Sequence, residues 1–194
     1  MEAWQKEGAK MEAIKEHLKN TFTSYELELI RYLYLCIVYD GSKFLILLIF
    51  FSIFHLGREF CMEILFLLSL RNFFGGLHFQ HYTSCFAFTF IFSSAGIALS
   101  HLAKLDNICQ IALFVIAILI SITTKPITSA GRPPLSPKQE SSYHRCGMAV
   151  LLLYFVFFLT IQNFPYRNLC FWVIILQTLQ LLAAKLLLKG EKRP

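Results

Sequence analysis

Arg71-Asn72-Phe73-Phe74-Gly75-Gly76-Leu77-His78-Phe79-Gln80-His81-Tyr82-Thr83-Ser84-Cys85 is the stretch on which the reading of the whole chain turns. A glycine pair tolerates positive φ and can stop one helix before the next begins. Two imidazoles and a thiol follow it. An imidazole that takes a thiol proton leaves a thiolate able to attack a carbonyl carbon. On one continuous helix His78 and Cys85, seven residues apart, would share a face but lie about 10 Å apart along the axis. A hydrogen bond needs about 3 Å, so direct contact requires the break that Gly75-Gly76 offers. His81, four residues before Cys85, reaches the adjacent helix turn without any bend. Spacing alone leaves His78 and His81 open as the base. His78, His81 and Cys85 also have the chemistry of three zinc ligands. No further Cys/His pair of suitable spacing completes that set, and neither a metal nor any other cofactor is expected. Aromatic and thiol packing at a helix start is the plain alternative to all of these.

The flanks of this stretch define the solvent. The chain is 56% hydrophobic and 15% charged, with 20 Phe and a mean hydropathy of +0.57. A soluble domain is about a quarter charged, so lipid is the main solvent here. The expected class is an all-α polytopic membrane protein forming a single membrane-embedded domain over 1–194. Six spread cysteines without a CxxC pair exclude a zinc ribbon or a disulfide framework. Five of them read as small apolar core residues. The net charge of +6 sits in loops and at the C-terminus, which marks a cytoplasmic side and not a nucleic-acid site.

Working outward, residues 1–25 read as an amphipathic helix on the membrane surface, with Trp4, Met11, Ile14, Leu18 and Phe22 on one face. Residues 26–81 hold short apolar pieces and the motif loop. Leu33–Tyr39 is interrupted at Asp40-Gly41-Ser42-Lys43, Phe44–Leu56 at Gly57-Arg58-Glu59, and Phe60–Leu70 at Arg71. Each falls short of the roughly 20 residues needed to span. They predict a re-entrant or hairpin pair and then a short helix that delivers the glycine pair. Residues 82–124 and 146–188 predict two helical hairpins, giving four clear spans, joined by a Pro-rich basic loop over 125–145. Positive charges place the N-terminus, the Arg58–His81 region, that loop and the tail in the cytoplasm.

Arg71-x3-Gly75-Gly76-x-His78-x6-Cys85, entering a membrane helix in a chain of this size and element order, resembles the accessory gene regulator B (AgrB) family. These are bacterial cell-membrane endopeptidases that process AgrD-type quorum-sensing propeptides. The resemblance implies Cys85 as nucleophile and His78 as base, with Arg71, Gly75 and Gly76 in support. It implies an AgrD-like propeptide as substrate, membrane lipid as surroundings and a homodimer as assembly. It further implies removal of an acidic C-terminal tail through an acyl-thioester, then closure of a thiolactone or lactone ring. Gln80, Glu63 and Ser129 are the candidates for a third, orienting residue. Lys125 and Arg132 are candidates for gripping the tail, although the loop Thr124-Lys125-Pro126-Ile127-Thr128-Ser129 lacks the family's acidic residue and carries fewer lysines. A cleft among Phe73, Phe74 and Phe79 is expected to exclude water. The rival class, a non-enzymatic transporter or exporter subunit, predicts an inert Cys85 and ionisable groups in mid-span. His101 and Lys185 lie near span ends instead, and HExxH, GxSxG and paired intramembrane aspartates are all missing.

Overall fold

The computed structural model describes residues 23–77, 81–124, 126–127 and 136–190. The helix expected over 1–25 lies almost wholly outside them, as do His78, Phe79, Gln80, Lys125, Ser129 and Arg132. Six helices make up the described chain: α1 (Ser24–Ile53), α2 (Gly57–Phe74), α3 (Tyr82–Leu102), α4 (Asn107–Thr123), α5 (Pro137–Thr160) and α6 (Arg167–Gly190). Among the described residues there is no strand, only an isolated parallel bridge between Gly75 and Ile127. Four helices are long and apolar enough to cross a membrane: α1, α3, α5 and α6. The fold is all-α and polytopic.

The chain divides into two compact units, residues 1–42 with 131–133, and 43–130 with 134–194. In the first, Thr23 opens α1 as an N-cap. Its backbone N–H donates to Glu26 Oε2 at 2.8 Å and its hydroxyl accepts from the Glu26 N–H at 3.4 Å, the reciprocal pairing of a capping box. Leu33, Tyr34, Ile37 and Val38 are exposed, as lipid-facing side chains are.

The second unit is built around α6. Fully 56% of its apolar window is buried, against 17–28% in the other three spans, which makes it the central helix. Leu169, Cys170, Phe171, Val173, Ile174 and Leu181 are buried along it, and α2, α3 and α4 all pack on it. Aromatic stacking supplies much of the remaining core. Phe60 of α2 lies 5.0 Å from Phe51 and 5.7 Å from Phe44 of α1, and Phe50 meets Phe90 of α3 edge-on at 5.1 Å.

Some N-terminal boundaries differ from the sequence expectation. The two apolar pieces on either side of Asp40-Gly41-Ser42-Lys43 are one 30-residue helix. The Ser42 hydroxyl donates to the Tyr39 carbonyl at 2.9 Å, satisfying itself on the helix it was expected to interrupt. That helix ends at Ile53, about one turn earlier than Gly57 suggests. His55 takes the left-handed position (φ 60), and Leu56 and His55 N–H bond back to the Phe51 and Ser52 carbonyls, a Schellman closure. Gly57 therefore begins α2. The loop expected over 125–145 is also shorter, because Ser136, Pro137 and Gln139 form a capping box that starts α5. Cys170 is in the core, whereas Cys61, Cys109 and Cys146 are exposed. The core assignment fails for those three because apolar outer faces in lipid accept a thiol as readily as the interior does.

At the far end of α3, about 25 Å along its axis from Cys85, polar side chains tie the helix termini together. Trp172 Nε1 donates to the Ala103 carbonyl at 3.1 Å. Gln110 donates to Asn168 at 3.1 Å, and the Arg167 guanidinium lies over Phe158, 3.9 Å from the ring centre. A cavity of about 230 Å³ opens here beside Lys104, Asn107, Gln162 and Arg167.

Between the ends, Glu63 of α2 is fully buried, and neither carboxylate oxygen has a hydrogen-bond partner among the described residues. Gly96 of α3 makes room for it, since a Cβ there would stand 2.6 Å from Glu63 Oε1. An unsatisfied buried polar group costs about 1–3 kcal/mol. Glu63→Met is therefore expected to raise unfolding stability in detergent by roughly that amount. A lowered melting temperature would mean that the carboxyl stabilises the fold.

Candidate functional site

The motif begins where α2 ends. Gly75 has φ 75 and ψ −153, a backbone region closed to residues with a Cβ. Its N–H still bonds to the Arg71 carbonyl at 2.8 Å, while the Phe74 carbonyl accepts from Ile127 N–H at 2.9 Å. Ile127 thus brings the start of the 124–135 segment onto the glycine pair. A Cβ on Gly75 would run into the Ile127 carbonyl oxygen.

Side chains hold the next carbonyls. Gln177 of α6 donates to the Gly75 carbonyl at 2.9 Å. Arg71 donates to the Leu77 carbonyl at 3.1 Å, so its guanidinium grips the backbone immediately before position 78. Gly76 lies under Gln180, whose Nε2 would be 2.7 Å from a Cβ there. Phe74 is not part of an open cleft. It is 2% exposed, packed edge-on against His144 with ring centres 6.0 Å apart and against Gly147. Phe73 lies against Tyr143. The break turns Phe74 inward because it is the last residue of α2 on the face toward α5.

The second part of the motif starts α3. His81 is its N-cap, in extended conformation (φ −92, ψ 135), and is exposed. Since α3 starts at Tyr82, no continuous helix runs through positions 78 and 85. Cys85 lies in the first turn, where the backbone dipole favours an anion. It is 3% exposed, while Tyr82, Thr83 and Ser84 beside it are exposed.

Sequence reasoning missed one residue. Lys43 of α1 donates from Nζ to Cys85 Sγ at 3.2 Å, and its ammonium lies 5.8 Å from the centre of the Tyr82 ring. Lys43 is only 5% exposed. The signal was present in the register: Lys43, Leu47 and Phe51 fall four apart, and all three are buried, so the lysine continues the inward stripe of α1. Placing a loop at 40–43 removed it from view. The candidates the structure brings together are therefore Arg71, Gly75, Gly76 and Ile127 with Gln177 and Gln180, and Cys85 with Lys43 and Tyr82. No group of three metal-ligating side chains occurs among the described residues.

The accessory gene regulator B family profile matches residues 11–181, nearly the whole chain and all of this site. The chain belongs to the accessory gene regulator B family. No curated protein and no solved structure matches it. AgrB proteins are protease-like membrane enzymes that serve quorum sensing by processing AgrD-type propeptides, and the four apolar spans fit a multi-pass protein of that kind.

The two glycines of this AgrB chain face different obstacles. At Gly75 the obstacle is backbone and the φ is positive; at Gly76 it is the end of a flexible glutamine. Gly75→Ala is expected to lower propeptide processing in membranes by about 100-fold, given a backbone cost of a few kcal/mol. Gly76→Ala should be milder, and adding Gln180→Ala should restore part of its loss. Normal processing by Gly75→Ala would show that the break has no part in activity.

Proposed function

We propose that this AgrB-family protein is a membrane cysteine endopeptidase that removes the acidic C-terminal tail of an AgrD-like propeptide and cyclises what remains. His78 takes the proton of the Cys85 thiol, and the thiolate attacks the carbonyl carbon at the tail junction. The C–N bond breaks, His78 returns the proton to the departing amine, and an acyl-thioester remains on Cys85. A Cys or Ser of the propeptide then displaces Cys85, closing a thiolactone or lactone ring and regenerating the free thiol. The thioester keeps most of the activation of the reacting carbonyl, so ring closure needs no ATP.

The observation that carries this reading is the position of Cys85, buried in the first turn of a helix that starts only after the Gly75-Gly76 break. Such a turn has amide N–H groups without partners inside the helix. The Cys85 N–H donates to the His81 carbonyl at 3.1 Å, so the oxyanion donors are the N–H groups of Tyr82, Thr83 and Ser84. Arg71 holds the backbone before His78, and Gln80 orients the imidazole. Lys125 and Arg132 bind the acidic tail. The positive loops support a position of this machinery near the cytoplasmic face, and two copies form the working homodimer.

Cys85→Ser and His78→Ala are each expected to lower tail release by about a thousandfold or more, with insertion into the membrane unchanged, and His81→Ala to have a much smaller effect. Mass spectrometry of the tail and of the acylated protein measures each step. Tail release by Cys85→Ser at the normal rate would end the peptidase reading, and full loss at His81 alone would move the base to His81.

A further inference from the structure

We propose that Lys43 is the electrostatic partner of the Cys85 thiolate, a catalytic residue acting on the reacting sulfur from a different helix. This rests on the peptidase reading above and adds a third group to it.

A lysine in an apolar helix ordinarily extends its ammonium toward water at the membrane surface. Lys43 does not. Its side chain is 5% exposed, on the inward stripe that continues through Leu47 and Phe51, and its Nζ stands 3.2 Å from Cys85 Sγ. The sulfur is equally enclosed at 3% exposed. Burying an ammonium is expensive unless something anionic or electron-rich faces it. The Tyr82 ring, with its centre 5.8 Å away, supplies a modest cation–π attraction. The larger compensation comes when the sulfur is ionised, because two opposite unit charges at this distance attract far more strongly in a protein interior than in water. Lys43 and the first turn of α3 therefore converge on one atom from two elements, 42 residues apart in sequence.

The roles stay separate. His78 receives the thiol proton and later delivers it to the leaving amine. Lys43 keeps its own three protons throughout, and its charge offsets the negative charge on sulfur before attack and again when the thioester is opened. The arrangement also answers a problem of place. A thiolate at an enclosed, lipid-flanked position has little water to solvate it, and Lys43 provides the missing counter-charge without admitting water that would hydrolyse the thioester.

The test uses the full-length protein in detergent or vesicles with three lysine variants and Cys85→Ser. The rate of iodoacetamide alkylation at Cys85 is read by mass spectrometry at neutral pH, and propeptide tail release is read in parallel. Lys43→Met keeps the length and apolarity of the side chain. It is expected to slow Cys85 alkylation by roughly tenfold or more, since the cation 3.2 Å from the sulfur no longer offsets the charge on it as it attacks. Tail release should fall by about 100-fold, in kcat and not in KM. Lys43→Arg retains the charge and should keep both rates within about fivefold of the original, whereas Lys43→Gln should behave as Lys43→Met. Cys170, buried in the core, should stay unlabelled in every variant, which shows that the fold is intact. Alkylation of Cys85 at the original rate in Lys43→Met would overturn the proposal, as would an arginine variant no better than the methionine one. The Cys85→Ser arm separates the two readings. If that variant still releases the tail, the peptidase reading falls. If it is inactive while Lys43→Met is fully active, only the role of Lys43 falls.

Discussion

One backbone hydrogen bond, from Ile127 N–H to the Phe74 carbonyl at 2.9 Å, fixes where the central break in this fold can be. A helix that ends inside a protein leaves carbonyls without partners, and a bilayer interior supplies no water to satisfy them. At the end of α2 the answers come from separate parts of the chain. Ile127 takes Phe74, Gln177 takes Gly75, and Arg71 takes Leu77. Gly75 can meet this arrangement because its φ of 75 needs no Cβ, and the Ile127 carbonyl occupies the space where one would go. Moving the break by one residue would leave at least one of these donors facing the wrong atom. The start of α3, and with it Cys85, follows from that.

The same need explains the composition of α6. A buried central helix in lipid has no use for glutamine unless something must be bonded. Gln177 lies buried beside the glycine pair and donates to the Gly75 carbonyl. Near the other end of α6, Asn168 and Trp172 take up carbonyls at the end of α3. Between these layers Phe171, Val173 and Ile174 are fully buried and apolar. The polar residues of α6 thus mark the levels at which other helices end. Arg167 belongs to the same pattern, donating to the Phe158 carbonyl near the end of α5 at 3.2 Å.

Such reasoning also separates what the sequence disclosed from what it did not. The glycine break and the start of a helix just before Cys85 were legible because each rests on local chemistry, positive φ and turn residues; the span expected over 108–124 is instead a shorter apolar helix, and α1 is long enough to cross. The N-terminal half was harder. Asp40-Gly41-Ser42-Lys43 looks like a turn by residue type, yet a helix absorbs it, since serine can bond to its own preceding turn and glycine costs only about 1 kcal/mol in a helix interior. His55 in the left-handed position could not be anticipated while a glycine stood two residues further on. Phe74 was assigned to a cleft because its neighbours in sequence are chemical residues; only the packing of α5 reveals it as core. Gln177 and Ile127 carry no local signal at all, being about 100 and about 50 residues from the backbone they hold.

Lys43 falls between these cases. Its register with Leu47 and Phe51 is written in the sequence, but a reader who places charges outside the membrane discounts it. Intramembrane charges are rare because they are costly, and a costly group persists where it has a counterpart. The counterpart proposed for Lys43 is Cys85, whose sulfur lies 3.2 Å from the ammonium. The exposed side chains of Tyr82, Thr83 and Ser84 lie along the same turn, so a peptide laid across the start of α3 would meet the turn's N–H groups with the sulfur just beneath. A sulfur shielded in this way is reached by a chain docked on the helix end more readily than by free water. The proposed acyl-thioester needs that difference in access if an internal nucleophile is to close a ring.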